Sequence, residues 1–219
     1  MIEISNIHFQ YPKSDFKLQM DRLKIDRGSK TAIIGPSGFG KTTLLNLLAG
    51  ILVPDEGQIQ VDGVIVNDLS EKERRNFRIQ KIGLVFQDFR LIPYLNVLDN
   101  ILLPYRINNK LKINRETATS VKNLANEFDI SDKLKKYPAK LSHGERQRVA
   151  ICRALINTPP IIMADEPTGN LDPENKRKIM NILFEYVRKF GSTLITVTHD
   201  HEMLKGFINT IDFGHFQNN

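Results

Sequence analysis

The sequence runs to 219 residues with 41% hydrophobic side chains, enough to bury a core, and its single cysteine, Cys152, excludes an internal disulfide framework and fits a reducing compartment. The formal net charge of +6 comes from Lys and Arg interspersed with Asp and Glu, which reads as a solvated surface rather than a nucleic-acid-binding tail. No apolar run approaches the roughly 18–20 residues that span a bilayer, since Leu44 to Val53 is closed by Pro54, Asp55 and Glu56, and Met1-Ile2-Glu3-Ile4 lacks the pattern of an export signal. The expectation is a chain that neither crosses a membrane nor leaves the cytoplasm.

Ile2, Ile4, Ile7 and Phe9, then Leu18, Met20, Leu23 and Ile25, nearly alternate and predict the strands of an N-terminal β layer. Thr31 to Ile34 is a short apolar run ending in glycine, and Lys41 to Leu52 follows at helical spacing, so the join reads strand, Gly-rich loop, helix. Ser70-Glu71-Lys72-Glu73 has the form of a capping box and predicts a helix that stops before a strand over Ile82 to Phe86. From about residue 88 to 157 the pattern predicts helices over Asn96 to Leu103, Asn114 to Phe128 and Ser142 to Ile156, a helical lobe inserted into the core. Then Ile161 to Ala164 reads as a strand, Pro173 to Lys189 as a helix with proline in its first turn, and Thr193 to Val197 as a strand. Alternating strand and helix predict an α/β fold with a mostly parallel sheet.

Gly35-Pro36-Ser37-Gly38-Phe39-Gly40-Lys41-Thr42 matches the P-loop pattern. Glycines let the backbone curl around phosphate oxygens, Lys41 reaches the β and γ phosphates as a point charge, and Thr42, followed by Thr43, offers a hydroxyl to Mg²⁺. Asp165 and Glu166 end the strand that starts at Ile161, where ligands of open α/β sheets lie. Asp165 is expected to hold Mg²⁺ through water. Glu166 is expected to orient and polarise an attacking water, because phosphoryl transfer depends mostly on positioning and charge.

The motifs follow one order: Tyr11, the P-loop at Gly35, Gln87, Leu141-Ser142-His143-Gly144-Glu145 opening a helix, the acids Asp165 and Glu166, Pro167-Thr168-Gly169-Asn170-Leu171-Asp172, and His199. In this they resemble the ATP-binding cassette family, over essentially the whole chain, Ile2 to Phe213. The resemblance implies a P-loop NTPase core in a single domain, an ATPase using ATP and Mg²⁺. It implies that Gln87 ties Mg²⁺ and the attacking water to the helical lobe, and that His199 contacts the γ-phosphate beside the catalytic Glu166 and Lys41. Tyr11 either stacks on adenine or packs as a strand-end tyrosine. His143 stands where the family usually has glycine, and Glu145 where glutamine is frequent; Ser142 and Gly144, which carry the family's γ-phosphate contacts, are retained.

The same resemblance implies a homodimer closing on two ATP molecules, with Ser142 and Gly144 of one copy facing Lys41, Glu166 and His199 of the other and Asp172 near the seam. It implies a separate integral membrane permease docking near Phe89-Arg90-Leu91-Ile92-Pro93-Tyr94, although lobe packing would produce the same apolar segment. It also implies a peripheral place on the cytoplasmic face of the inner membrane, without direct nucleic-acid binding. Pro167 to Asp172, Pro93 and the compact chain look most like the branch of lipoprotein-release, macrolide-export and cell-division cassettes. A mechanical or regulatory cassette of the cell-division kind, a DNA-associated ATPase with a similar head, and a soluble P-loop kinase are the competing readings.

Overall fold

The computed structural model describes residues 1–169 and 171–216; Asn170 of the Pro167 to Asp172 motif lies outside the described residues. Two sheets form. The first is antiparallel, built from β1 (Ile2–Gln10), β2 (Lys17–Ile25), β4 (Glu56–Val61) and β5 (Val64–Ile65) in the order β2-β1-β4-β5. On β1 and β2 the apolar residues at alternate positions point inward, so Ile2, Ile4, Ile7, Leu18, Met20 and Ile25 are all buried. The hairpin of β4 and β5 was not apparent from apolar alternation; it turns on Asp62-Gly63, both at positive φ, 51° and 80°.

The second sheet has the order β6-β7-β8-β3-β9, its neighbouring strands pairing in parallel: β3 is Lys30–Ile34, β6 Ile82–Val85, β7 Ile161–Asp165, β8 Thr193–Val197 and β9 Asn209–Asp212. It is covered on both faces. On β7, Ile161 and Met163 pack toward the antiparallel sheet and the helix after β3, while Ile162 and Ala164 pack into the helical side. A strand buried on both faces has no polar side to show, which explains its unbroken apolar run. The edge strand β9 is largely exposed and carries one half-buried isoleucine, Ile211, too little pattern to signal a strand.

The helices are α1 (Lys41–Leu48), α2 (Glu71–Lys81), α3 (Val97–Ile101), α4 (Leu103–Ile107), α5 (Arg115–Glu127), α6 (His143–Leu155) and α7 (Pro173–Phe190). Between β6 and β7 the described chain contains helices and no strand. Helix starts follow their caps: Ser70 and Ser142 form capping boxes with Glu73 and Glu145, and Asp172 caps α7 through the Glu174 and Asn175 amides. Two helices differ from expectation. α1 stops at Leu48, not Leu52, because Gly50 takes φ 60° and Gly50, Ile51 and Leu52 fold their amides back onto Leu47 and Asn46 carbonyls. The helix expected over Asn96 to Leu103 is two short ones, breaking at Leu102 just before Pro104, which cannot donate a helical hydrogen bond.

Candidate active site

Strand order assembles the site. Gln87 follows β6, Asp165 and Glu166 end β7, His199 follows β8, and the phosphate loop follows β3; these four strands are successive neighbours in the parallel sheet. Parallel strands deliver all of these residues at the same, carboxyl end. The resulting cleft, of about 390 Å³, is lined by Tyr11, Ser37, Gly38, Gly40, Lys41, Thr42, Thr43, Gln87, Asp165 and Glu166 together with Phe16 and Val197.

The loop is held in a phosphate-ready shape. Lys41 Nζ donates to the carbonyls of Gly35 at 2.8 Å and Pro36 at 2.7 Å, bonds that phosphate oxygens can replace. Gly40, which precedes α1, sits at φ 92°, and a Cβ there would stand 2.5 Å from Phe16 Cζ. Only glycine fits that position. Phe16 also stands 5.9 Å, centroid to centroid, from Tyr11, whose hydroxyl is 3.2 Å from Thr43 Oγ1 and whose ring meets Phe9 edge-on. Phe16 went unnoticed in the sequence because it lies outside every motif; its approach to Gly40 is a tertiary contact.

Thr42 Oγ1 donates to Asp165 Oδ2 at 2.7 Å, joining the loop to the end of β7. Burial pushes the Asp165 carboxyl above its ordinary pKa, against the Thr42 hydrogen bond, with the Glu166 charge adding to the rise. Burial likewise pushes the Lys41 ammonium below its ordinary value, opposed by Glu166 and Asp165. Each charged group is thus partly desolvated, with the opposite charges of the same cleft offsetting part of the cost. Glu166 takes φ 46°, rare for a side chain of this kind, while its amide bonds the Val197 carbonyl at 3.0 Å. Its Oε1 lies 2.8 Å from His199 Nδ1. Asp200, next in sequence, pairs with Lys176 of α7 at 2.9 Å, which anchors the turn that presents His199.

Thr42, Asp165 and Gln87 bring oxygen donors to one place, as a hard cation requires. No group of three or more His, Cys, Asp or Glu able to hold a metal occurs among the described residues; a cation held by Thr42, Asp165 and Gln87 would complete its shell with water or phosphate oxygens. That is the usual situation of Mg²⁺ in nucleotide sites.

Ser142, Gly144 and Asp172 do not line this cleft. They sit at the starts of α6 and α7, and Leu171 packs so close to Gly144 that a Cβ there would lie 3.1 Å from Leu171 Cδ2. His143, in the first turn of α6, meets Phe89 edge-on at 4.6 Å. Phe89 is buried, and it and Arg90 take φ 60° and 45°, conformations held by Arg153 of α6, whose guanidinium donates to their carbonyls at 2.5 and 2.6 Å. In the segment Phe89 to Tyr94, Phe89 is buried and Arg90, Pro93 and Tyr94 are exposed, Tyr94 at 77%.

A P-loop whose lysine and threonine share one cleft with paired acids, the second of them in contact with His199, defines a nucleoside triphosphatase. The chain belongs to the ABC transporter family: that family's model matches residues 18–169. It is 38% identical over 208 residues, 94% of this chain and 90% of the relative, to the lipoprotein-releasing system ATP-binding protein LolD of Buchnera aphidicola. Identity is also 38% to the macrolide export ATP-binding/permease protein MacB of Rhodopirellula baltica, over 93% of this chain and 30% of that longer protein. Among solved structures it superimposes with a TM-score of 0.89, at 34% identity and covering 97% of this chain and 94% of the other, on a dimeric ATP-binding cassette in a post-hydrolysis state bound to ADP and Pi. The chain is an ATP-binding cassette ATPase of the type found in lipoprotein-release and macrolide-export systems.

Proposed function

We propose that this chain acts as a single cassette domain, residues 1–219, one of two copies that close on two ATP molecules and drive a separate membrane subunit of the lipoprotein-release or export type. The observation that carries the reading is the split site: one chain holds both a P-loop cleft and the Ser142 to Gly144 helix start, yet the second does not line the first. A second copy, related by a two-fold axis, supplies the missing half to each cleft. The dimeric cassette among the similar structures supports that arrangement.

In this reading Gly35 to Thr43 wrap the phosphates with backbone amides and the N-terminus of α1, and Lys41 leaves the Gly35 and Pro36 carbonyls for the β and γ phosphates. Thr42, Asp165 and Gln87 hold Mg²⁺, which neutralises phosphate charge when bound. Glu166 orients and polarises the attacking water, and His199, placed by its contact with Glu166, reaches the γ-phosphate. Ser142 and Gly144 of the other copy contact the same phosphate, with Asp172 at the seam.

A path to a membrane partner leads out from Gln87. It lines the nucleotide cleft and an adjoining one of about 470 Å³, which shares Leu84, Phe86 and Arg90 with a third groove of about 260 Å³. That groove is floored by Leu84, Leu103, Pro104 and Ile107, the last 59% exposed, and Tyr94 projects from the segment that follows Arg90. An apolar groove of this kind suits a short helix of a membrane subunit. Among the described residues no helix is long and apolar enough to cross a membrane. The test is to tag the chain in its native cell, trap it with ATP and Glu166→Gln, solubilise membranes gently and identify what remains bound. Recovery of an integral membrane protein supports the proposal; recovery of soluble or DNA-bound partners alone overturns it.

A further inference from the structure

The start of α6 carries a charge that its proposed role does not favour. Glu145 stands in its first turn, and its Oε2 accepts from the Ser142 amide at 2.7 Å while Ser142 Oγ accepts from the Glu145 amide at 3.2 Å. This box shapes the helix start and is itself favourable, since a carboxylate at a helix N-terminus meets the positive end of the dipole. If that start also receives a γ-phosphate, however, two anions compete for one field of amides. Glutamine in place of Glu145 would make the same cap without the charge.

The chain provides a counter-charge. Lys133 Nζ lies 3.5 Å from Glu145 Oε1, with side-chain exposures of 22% and 18%, so the pair is shielded from much of the solvent that screens surface ion pairs. Asp132, 68% exposed, holds the same lysine more closely, at 2.6 Å, so Lys133 is shared between the two carboxylates. The lysine is firmly placed. It ends the short turn Ser131–Lys133, which follows the fully buried Ile130, and its neighbours Leu134 and Lys136 offer their carbonyls to the amides of Leu98 and Val97, at the head of α3.

Resting on the reading of Ser142 and Gly144 as contacts to a second copy's ATP, we propose that Lys133 is a positioning residue. It neutralises Glu145 so that the Ser142 cap stays formed and the helix start accepts the γ-phosphate of the opposing copy. No bond is made or broken by Lys133; its effect falls on dimer closure.

The experiment uses the full chain carrying Glu166→Gln, with ATP-dependent dimerisation followed by analytical ultracentrifugation and unfolding temperature measured without nucleotide. Lys133→Met is expected to raise the dimer dissociation constant about five- to tenfold. Lys133→Arg is expected to retain closure, and the double substitution Lys133→Met with Glu145→Gln to restore it. A purely structural lysine would lower the unfolding temperature and not be rescued by Glu145→Gln. Parent-like closure in Lys133→Met, or no recovery in the double variant, overturns the proposal. Ser142→Arg serves as the control: closure unaffected by it would overturn the trans-site reading itself, whatever Lys133 does.

Discussion

His199 Nδ1 lies 2.8 Å from Glu166 Oε1, although the two residues end different strands and are 33 positions apart in sequence. The contact ties the His199 imidazole to a carboxylate that lines the same cleft as Lys41, and it coincides with the positive φ of Glu166. A strained residue held by a specific partner inside a cleft is where function is expected to reside. Glu166→Gln removes the charge while preserving shape. Its expected effect is a loss of steady-state ATP turnover of at least about a hundredfold with ATP still bound, read as phosphate release and as retention of the dimer on a sizing column. Brisk turnover would remove Glu166 as the catalytic carboxylate.

Ser142→Arg puts a long cation at the exposed start of α6, outside the cleft that holds the P-loop. Monomer binding of nucleotide, measured by fluorescent-ATP titration, should stay within about twofold of the parent, because the substitution does not touch the cleft. Dimer closure and turnover should both fail. Wild-type turnover in this variant would show that α6 takes no part in hydrolysis.

Asp165 is a buried carboxylate whose pKa stands above its ordinary value of 3.8, chiefly through desolvation. The sign follows from linkage: the folded protein holds that proton more tightly than the unfolded chain, so the contribution to stability is favourable at low pH and is lost as pH rises through the raised pKa. At neutral pH the charged form is a cost in the nucleotide-free protein. Asp165→Asn is therefore expected to raise the unfolding temperature without nucleotide, by about 2–4 °C for each kcal/mol of relieved desolvation, while weakening Mg²⁺-dependent ATP binding. A lower unfolding temperature would mean that the Thr42 hydrogen bond outweighs desolvation.

Arg153 is buried, and its guanidinium pKa is pushed down to about 10 by that burial. Its two bonds to the Phe89 and Arg90 carbonyls hold a backbone that both residues adopt reluctantly. Arg153→Met leaves those carbonyls without their donors and is expected to destabilise the chain by about 2–4 kcal/mol, measured by denaturant unfolding. It should also free the segment that leads to Tyr94, seen as faster amide exchange there. Unchanged exchange would show that the segment is held by the Phe89 and His143 packing instead.

Much of this protein could be read from local pattern, because the relevant physics is local. Alternation on β1 and β2, capping boxes at Ser70 and Ser142, and the glycine spacing before Lys41 each depend on residues within a few positions of one another, and each appears in the structure where the sequence puts it. The residues that line the cleft followed, with the exception of Phe16 and Val197. Other features were set only by packing between distant segments. The β4 to β5 hairpin shows through its Asp62-Gly63 turn but hardly through alternation, and β9 forms because β3 offers it an edge. Phe89 looks like a docking aromatic in sequence, yet packing against His143 and the reach of Arg153 turn it inward.

The sequence alone pointed to the chemistry: which groups suit phosphate, which acids follow the apolar strand, and where every helix but α4 begins. Tertiary structure decided their meeting, through a strand order that sets β6, β7, β8 and β3 side by side with Gln87, Glu166, His199 and the phosphate loop at one end. It also left the α6 start outside that cleft, beside Lys133. The physical reason is range. Capping and periodicity are encoded within a turn or two of chain, whereas strand order and the packing of side chains from separate segments arise from burial and pairing over the whole molecule.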